Sequence, residues 1–332
     1  MKSFLVITAA LILLSSCSEE SVTPSPDKQP YIYFLTDTFN VQSREQEQYY
    51  CRMKEDGSER TRILRFWDGY AYAYFSPDGL KVIVGSQIMN IDGTSRHYFS
   101  LGNRVRWSPD SRTLAYTVGY SFADSIFITP VTDEKPQFVA IDKGLADLAW
   151  MPDSKKIIYS TRDGLLRMVN SNGSDKKILL KTDSLIIESL TAVGDKIFFY
   201  YRKPYYSPGG LGIVKSDGTG LQLIPDFPVF TVNDISPDNK ELLLSALEEK
   251  FYNLYLFDTE TLLKRQITFF ENAEQVRAAY SHDGKKIIAG AEFTRFTRLF
   301  LMDADGSNVK MLGADTTEPA YSSDKYPGWG LQ

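Results

Sequence analysis

Short runs of apolar residues, most of them alternating with polar ones, recur along the chain from about residue 31 onward. Clear cases are KVIVG at 81–85, TLAYTV at 113–118, KIIYS at 156–160, ELLLSA at 241–246 and KIIAGA at 286–291. Alternation with a period of two predicts β-strands with one face toward a core. Each of these runs follows a short segment rich in Pro, Asp, Gly or Ser, which predicts a turn.

The segment before these strands is a repeated motif. It occurs as FSPDG (75–79), WSPDS (107–111), WMPDS (150–154), ISPDN (235–239) and YSHDG (280–284). We assign two degenerate copies, LTAVGDK at 190–196 and YSSDK at 321–325. The Asp positions 78, 110, 153, 193, 238, 283 and 324 are separated by 32 to 45 residues, counting Val193 at the Asp place. Internal repeats of this period indicate an array of similar structural units.

A second turn signal falls within each period. It reads EDGS (55–58), IDGT (91–94), SNGS (171–174), SDGT (216–219) and ADGS (304–307). Asp-Gly or Asn-Gly between apolar runs is a strong hairpin signal, because both residues accept positive φ. Each period then holds four strands, which predicts an all-β protein, a β-propeller of four-stranded antiparallel blades.

The two ends of the chain determine the number of blades. YIYFLTD (31–37) reads as a second strand without a motif before it, and EPAYSSDKYPGW (318–329) supplies a first strand without a blade after it. We therefore expect the C-terminal strand to pair into the first blade and close the ring. The count is seven blades, at about 31–66, 70–102, 103–143, 144–184, 185–227, 228–271 and 272–315, and six is the alternative.

The motif series resembles the TolB-type, WD-like propeller repeat, and the resemblance extends over nearly all of the chain after the N-terminal region. It implies the propeller fold and says little about function, since one fold hosts many activities. TolB has an additional N-terminal domain before its propeller, whereas here the repeats begin soon after residue 30. We therefore do not carry over the role of TolB in the Tol system.

The repeated motif is predicted to be structural. Ser, Pro, Asp and Gly each suit their own position of a β-turn. A carboxylate that recurs from blade to blade is expected to stabilise the turns, because catalysis needs such a group only once or twice. The residues concerned are Asp78, Asp110, Asp153, Asp238 and Asp283. Because strands alternate in direction, these turns and the Asp-Gly turns share one face of the ring, here called the uniform face.

The opposite face, here called the variable face, carries the second-to-third strand loops and the connections between blades. These loops are rich in aromatic residues and Arg, which are common anchors of binding sites. We predict that this face binds a ligand. The predicted binding residues are Tyr120, Phe122, Arg202, Tyr205, Tyr206, Phe251, Tyr252, Phe293, Arg295 and Phe296, and the alternative for each is packing between blades.

The N-terminal sequence predicts export and a lipid anchor. Lys2 precedes the apolar run FLVITAALILL (4–14), and LSSC ends at Cys17, which resembles the lipobox of bacterial lipoproteins. We expect a signal peptide at 1–16, lipidation of Cys17, a Pro- and Ser-rich tether at 17–30 and one propeller domain at 31–332. The following Ser-Glu-Glu (18–20) resembles the surface-export signal of some Bacteroidota lipoproteins. Cell surface and periplasmic leaflet of the outer membrane both remain open.

Charge and motif content restrict the function classes. Loss of Lys2 leaves 36 basic against 42 acidic residues, a balance of −6 that argues against a nucleic-acid partner. The chain has two His and no G-x-S-x-G or H-E-x-x-H, so we predict no catalytic residues, no metal site and no cofactor. The expected function is a monomeric, non-enzymatic scaffold for an envelope protein or a glycan, attached to the membrane through its lipid only. The alternative is a carbohydrate-active enzyme, a lyase or glycoside hydrolase, with its site at the channel mouth.

Overall fold

The computed structural model describes most of the chain after residue 29 as an all-β structure. The described residues are 30–40, 45–66, 72–99, 102–120, 123–132, 135–183, 185–203, 209–225, 227, 229–248, 250–294, 296–312 and 323–331. They form strands and turns without a helix, and therefore contain no helix with the length and hydrophobicity needed to cross a membrane. Cys17 and the predicted signal peptide and tether up to residue 29 lie outside the described residues.

The strands fall into groups along the chain. The first two groups are β1 (Pro30–Asn40), β2 (Glu45–Met53), β3 (Thr61–Phe66), then β4 (Ala73–Phe75), β5 (Lys81–Val84), β6 (Gln87–Asn90) and β7 (His97–Tyr98). The next two are β8 (Asn103–Trp107), β9 (Thr113–Tyr120), β10 (Ala123–Pro130), β11 (Gln137–Asp142), then β12 (Leu145–Trp150), β13 (Lys156–Thr161), β14 (Leu165–Asn170) and β15 (Lys177–Lys181). The last are β16 (Ile186–Val193), β17 (Lys196–Arg202), β18 (Gly210–Lys215), β19 (Gln222–Pro225), β20 (Val229–Ile235), β21 (Glu241–Glu248), β22 (Phe251–Asp258), β23 (Lys264–Gln266), β24 (Gln275–Tyr280), β25 (Lys286–Phe293), β26 (Phe296–Asp303), β27 (Lys310–Leu312) and β28 (Ser323–Leu331).

These strands form seven four-stranded antiparallel sheets, the blades of a β-propeller, which confirms the predicted fold and the count of seven over six. Blade 1 has the order β28-β1-β2-β3, so the C-terminal strand closes the ring as predicted. Blades 2 to 7 begin with the inner strands β4, β8, β12, β16, β20 and β24. Apolar side chains packed between neighbouring blades form the core, as where Ile32 and Phe34 of blade 1 meet Ile288 and Leu299 of blade 7.

The described part of the last, degenerate motif copy, residues 323–325, lies within the closing strand β28, in agreement with the strand predicted at 318–329. Asp324 lies within β28 and pairs with Thr36 of β1, because β28 continues through Trp329 to Leu331. The indole N–H of Trp329 donates to the carbonyl of Ala279 in blade 7, the same type of contact that Trp107 and Trp150 make at the ends of their inner strands. The Trp329 end of β28 therefore corresponds to the motif end of the other inner strands.

The repeated motif is a hydrogen-bonded turn. Ser76 Oγ donates to Asp78 Oδ1 at 2.6 Å, and the same carboxylate oxygen accepts the N–H of Leu80 at 3.0 Å. Equivalent bonds from backbone N–H groups reach Asp110, Asp153, Asp238 and Asp283. The last position of the five-residue motif has a positive φ in each good copy, at Gly79, Ser111, Ser154, Asn239 and Gly284. This conformation explains why Gly, Ser and Asn fill it.

The motif also joins neighbouring blades. The N–H of Asp78 donates to Ser111 Oγ of the next blade at 3.0 Å, and the N–H of Asp110 donates to Ser154 Oγ at 3.1 Å. A Ser at the last motif position thus accepts a backbone N–H that would otherwise lack this partner. These hydrogen bonds connect the motif turns of neighbouring blades on the uniform face.

Candidate binding site at the channel mouth

The variable face is uneven because blade 2 is short. Strands β5, β9, β21 and β25 all begin three residues after the motif Asp, yet β5 has four residues and the other three have eight. At about 3.3 Å per residue, the second strand of blade 2 ends about 13 Å below those of blades 3, 6 and 7. Its hairpin closes at Val84 and Gln87 through a two-residue turn. Among the described residues, which do not include 67–71 and 100–101, blade 2 therefore leaves an opening on the variable side of the ring.

Tyrosines of blades 1 and 2 lie beside this opening. Tyr72, just before β4, is 49% exposed, and its ring centroid lies 5.1 Å from that of Tyr326 in β28 in an edge-to-face arrangement. The rings of Tyr72 and Tyr74 stack with centroids 6.4 Å apart. Burial raises the pKa of Tyr326 to about 12, so its hydroxyl is protonated at neutral pH. Aromatic faces with one polar end suit the edge of a ligand site.

Cationic side chains surround the tyrosines. The Arg277 guanidinium of β24 lies over the Tyr326 ring at 5.4 Å. Burial raises the pKa of Tyr74, whereas the positive charges of Arg106 and Arg277 act to lower it, so both charges lie near that hydroxyl. Lys325 forms an ion pair with Asp37, with Nζ 2.6 Å from Oδ2. The inner strands of blades 1, 2, 3 and 7 therefore bring three cations close to two tyrosines.

A small pocket opens between blade 7 and the closing strand. Its walls are formed by Gln275, Arg277, Gly290, Glu292, Thr297, Lys325 and Tyr326. Gln275 begins β24, Glu292 lies near the end of β25, and Lys325 lies near the start of β28, so the pocket belongs to the variable side. Tyr72, Tyr74, Tyr326, Arg277, Lys325 and this pocket are here called the channel-mouth site.

The inner strands are bulged where they approach the channel. Arg104, Ser189 and Tyr326 have φ values of 53°, and each falls at a register shift in its strand pairing. A bulge rotates a side chain out of the regular alternation, and bulges are common beside functional sites. At Tyr326 the bulge belongs to the same residue that contacts Tyr72 and Arg277.

Several of the predicted binding residues lie on the variable side, as strand order requires. Arg202 at the end of β17 forms an ion pair with Glu188 of β16, with Nε 3.2 Å from Oε2. Phe251 and Tyr252 begin β22 and are half-buried, and Tyr252 packs against the core between blades 6 and 7. Phe293 and Phe296 pair across the β25–β26 hairpin, with ring centroids 5.4 Å apart.

The other predicted binding residues are less fully described. Tyr120 ends β9 and pairs with Ala123, while Phe122, Tyr205, Tyr206 and Arg295 lie outside the described residues. The role of all ten residues in binding stays a prediction. Sequence reasoning missed Tyr72, Arg277, Lys325 and Tyr326. The available signal was a charged residue inside an otherwise apolar inner strand, such as Arg277 in QVRAAY.

Two acidic groups of the inner strands are fixed by hydrogen bonds. Asp147 accepts bonds from Arg106 Nη2 and from the N–H of Leu190, and Asp234 accepts the N–H groups of Ile235 and Tyr280. Removal of water raises the pKa of Asp234 to about 6, against the effect of both N–H groups. Among the described residues, no three His, Cys, Asp or Glu are grouped so as to hold a metal ion.

Solved structures with a similar fold include proteins of different activities. TolB from Acinetobacter baumannii is 14% identical with a TM-score of 0.54, over 90% of this chain and 82% of that one. Oligogalacturonate lyase from Vibrio parahaemolyticus is 13% identical with a TM-score of 0.57, over 88% and 87%. Acylaminoacyl peptidase from Pyrococcus horikoshii is 16% identical with a TM-score of 0.62, over 86% of this chain and 52% of the peptidase.

These identities establish the fold alone. No protein-family model matches the chain, and no curated protein matches it in sequence. The class that fold and topology define is a seven-bladed β-propeller, whose similar structures include TolB and related propeller proteins. The activity has to be argued from the channel-mouth site and not from the fold.

Proposed function

We propose that the protein is an outer-membrane lipoprotein whose propeller binds a ligand or an envelope partner without catalysing a reaction. The observation that carries this proposal is the opening above the short blade 2, beside the half-exposed Tyr72 and its neighbours Tyr326 and Arg277. Tyr and Arg are the residue types most often found at the energetic centre of binding surfaces.

The rigid ring suits recognition. Inner strands of neighbouring blades are joined by side-chain bonds, such as Arg106 to Asp147 and Ser189 Oγ to the N–H of Val232. A site on strands that are held in this way needs little ordering when a ligand arrives, which favours affinity. The partner is an envelope protein or a glycan, and the protein acts as a monomer.

Affinity capture tests the binding proposal. The purified propeller is immobilised and exposed to a detergent extract of the source envelope, and bound proteins and glycans are compared among variants. Tyr72→Ala and the double variant Tyr205→Ala/Tyr206→Ala are expected to lose the captured species, while Tyr98→Ala keeps it. Tyr98 is the matched control, since it is 77% exposed on the outer strand of blade 2.

Equal capture by all variants contradicts the binding proposal. Incubation of the wild-type protein with captured glycan distinguishes the enzymatic alternative. Release of shortened or unsaturated sugars that is lost in Tyr72→Ala establishes a carbohydrate-active enzyme in place of a scaffold.

The lipid anchor rests on the N-terminal sequence and has its own test. Palmitate labelling of the full chain is expected to disappear in Cys17→Ala and to persist in Cys51→Ala, since Cys51 is buried in β2. Labelling that survives in Cys17→Ala removes the lipoprotein proposal. Accessibility of the propeller to an antibody on intact cells then separates the cell surface from the periplasmic leaflet.

A further inference from the structure

Of the charged side chains that the structure describes on the inner strands, all but one have a partner. Arg104 donates to the carbonyl of Ala146, Arg106 pairs with Asp147, and Asp234 accepts two backbone N–H groups. The remaining pairs are Glu188 with Arg202 and Lys325 with Asp37. The exception is Arg277, whose guanidinium contacts the Tyr326 ring and forms no ion pair with a described carboxylate.

The position of Arg277 makes this exception informative. Its Nε is buried and has no hydrogen-bond acceptor, which leaves a polar N–H withdrawn from water without a partner. An unmade bond of this kind is costly, more so for a charged group, so proteins usually satisfy it. Arg277 also lines the pocket with Gln275 and Glu292, where a ligand can supply acceptors to the guanidinium.

The neighbouring groups indicate what else the ligand carries. Tyr72 presents a half-exposed ring beside Tyr326, a surface on which a flat ring-shaped molecule stacks. Gln275, Glu292 and Thr297 supply amide, carboxylate and hydroxyl groups that exchange hydrogen bonds with ligand hydroxyls. Asp37 and Asp147 form ion pairs with Lys325 and Arg106, so Arg277 is the cation of this site without an ion pair to a described carboxylate, although Glu292 lines the same pocket.

From these observations we propose that the channel-mouth site binds an acidic sugar unit, with its carboxylate on Arg277 and its ring on Tyr72. A planar guanidinium takes a carboxylate through two parallel N–H bonds, and the single charge of a carboxylate meets less repulsion from Glu292 than a dianion does. A phosphate dianion suits the pocket less well, because Glu292 shares its wall. This inference rests on the proposed function and specifies its ligand class.

Calorimetric titration tests the inference on the full propeller. The probes are a tetrasaccharide of glucuronic acid, a tetrasaccharide of glucose and a hexaglutamate peptide. The glucuronate probe is expected to bind the wild-type protein, and the glucose probe at least tenfold more weakly. Arg277→Gln is expected to weaken glucuronate binding at least tenfold, Arg277→Lys less, and Tyr72→Ala more than Tyr72→Phe.

The matched control is Arg112→Gln, which removes an exposed arginine on the uniform face and is expected to leave binding unchanged. Thermal melting of each variant verifies that the ring is intact. Undiminished glucuronate binding by Arg277→Gln overturns the inference, and so does equal binding of both tetrasaccharides. Arg277-dependent binding of hexaglutamate without glucuronate binding also overturns it, in favour of an acidic peptide. If neither tetrasaccharide binds, the inference is overturned. The capture experiment then tests the scaffold proposal separately.

Discussion

Arg106 of β8 donates from Nη2 to Oδ1 of Asp147 in β12 at 2.8 Å, and the other oxygen of Asp147 accepts the N–H of Leu190 in β16 at 2.9 Å. One nearly buried carboxylate therefore joins the inner strands of blades 3, 4 and 5. The three blades are consecutive around the channel, so this contact acts on the ring itself and not on a single blade.

Asp147→Ala is expected to lower the free energy of unfolding by about 2–3 kcal/mol, because it leaves a backbone N–H and a guanidinium without their acceptor. Urea denaturation followed by circular dichroism measures the change. Arg106→Gln removes only one of the two bonds and is expected to cost less. A loss below about 0.5 kcal/mol for Asp147→Ala, the range of ordinary surface changes, contradicts this role.

The indole bonds between blades lead to a second prediction. Trp107 Nε1 donates to the carbonyl of Tyr74 in the preceding blade at 3.0 Å. Trp107→Phe removes this bond and keeps an aromatic ring, so we expect a loss of about 1 kcal/mol in the free energy of unfolding. Blade 2 has Phe75 at the equivalent place, which indicates that the fold accepts a phenyl ring there. The same urea measurement applies, and an unchanged midpoint contradicts the prediction.

The sequence predicts the ring well because its turns are local. Gly79 and Asn239 adopt the positive φ that their motif position requires, and each Asp-Gly turn needs only its own residues. The closing strand was also predictable, since YIYFLTD at 31–37 reads as a second strand without a motif before it. In the degenerate copy YSSDK, pairing with β1 keeps the described residues 323–325 in β28, although their sequence resembles the motif.

The channel-mouth site was not predictable in the same way. Tyr72, Arg277 and Tyr326 come from blades 2, 7 and 1 and meet only when the ring closes. Pro327 and Gly328 after Tyr326 indicate an irregular strand, but they do not tell which side chains the bulge brings together. The opening depends on the length of β5 relative to strands of other blades, a comparison that becomes meaningful only in the folded ring.

Asp234 predicts a pH dependence of stability. Removal of water raises the pKa of Asp234 from its ordinary value of 3.8 to about 6 in the folded protein. Below about pH 4 the carboxyl is protonated in both states. Between about pH 4 and 6 the folded state keeps a proton that the unfolded state has lost, so the contribution of Asp234 to stability falls as pH rises. Above about pH 7 its contribution is constant.

Urea denaturation of the wild-type protein and Asp234→Asn from pH 4 to 8 measures this contribution by difference. Subtraction cancels the other carboxyl groups, including Asp56 and Asp217, whose pKa values are lowered mainly by hydrogen bonds from Ser58 and Thr219. The stability of the wild-type protein relative to Asp234→Asn is expected to decline between pH 4 and 6 and then level off. Parallel profiles over the whole range show that Asp234 does not titrate in this window.

The closing strand gives the last prediction. Trp329 is 3% exposed, packs with Ile32 and Ile288 between blades 1 and 7, and donates to the carbonyl of Ala279. Trp329→Ala is expected to cost about 3–5 kcal/mol, the range for removing a large buried aromatic side chain. Leu263→Ala is the control, because Leu263 is 71% exposed between β22 and β23.

The loss of stability is expected to concentrate where β28 pairs with β1, since blade 1 joins the C-terminal strand β28 to the strands β1 to β3. Amide hydrogen exchange should therefore accelerate in β1 and β28 of Trp329→Ala more than in the inner strands of blades 4 and 5. Because Lys325 and Tyr326 belong to β28, the same variant is expected to lose binding at the channel mouth. Uniform acceleration around the ring shows instead that the propeller opens as one cooperative unit.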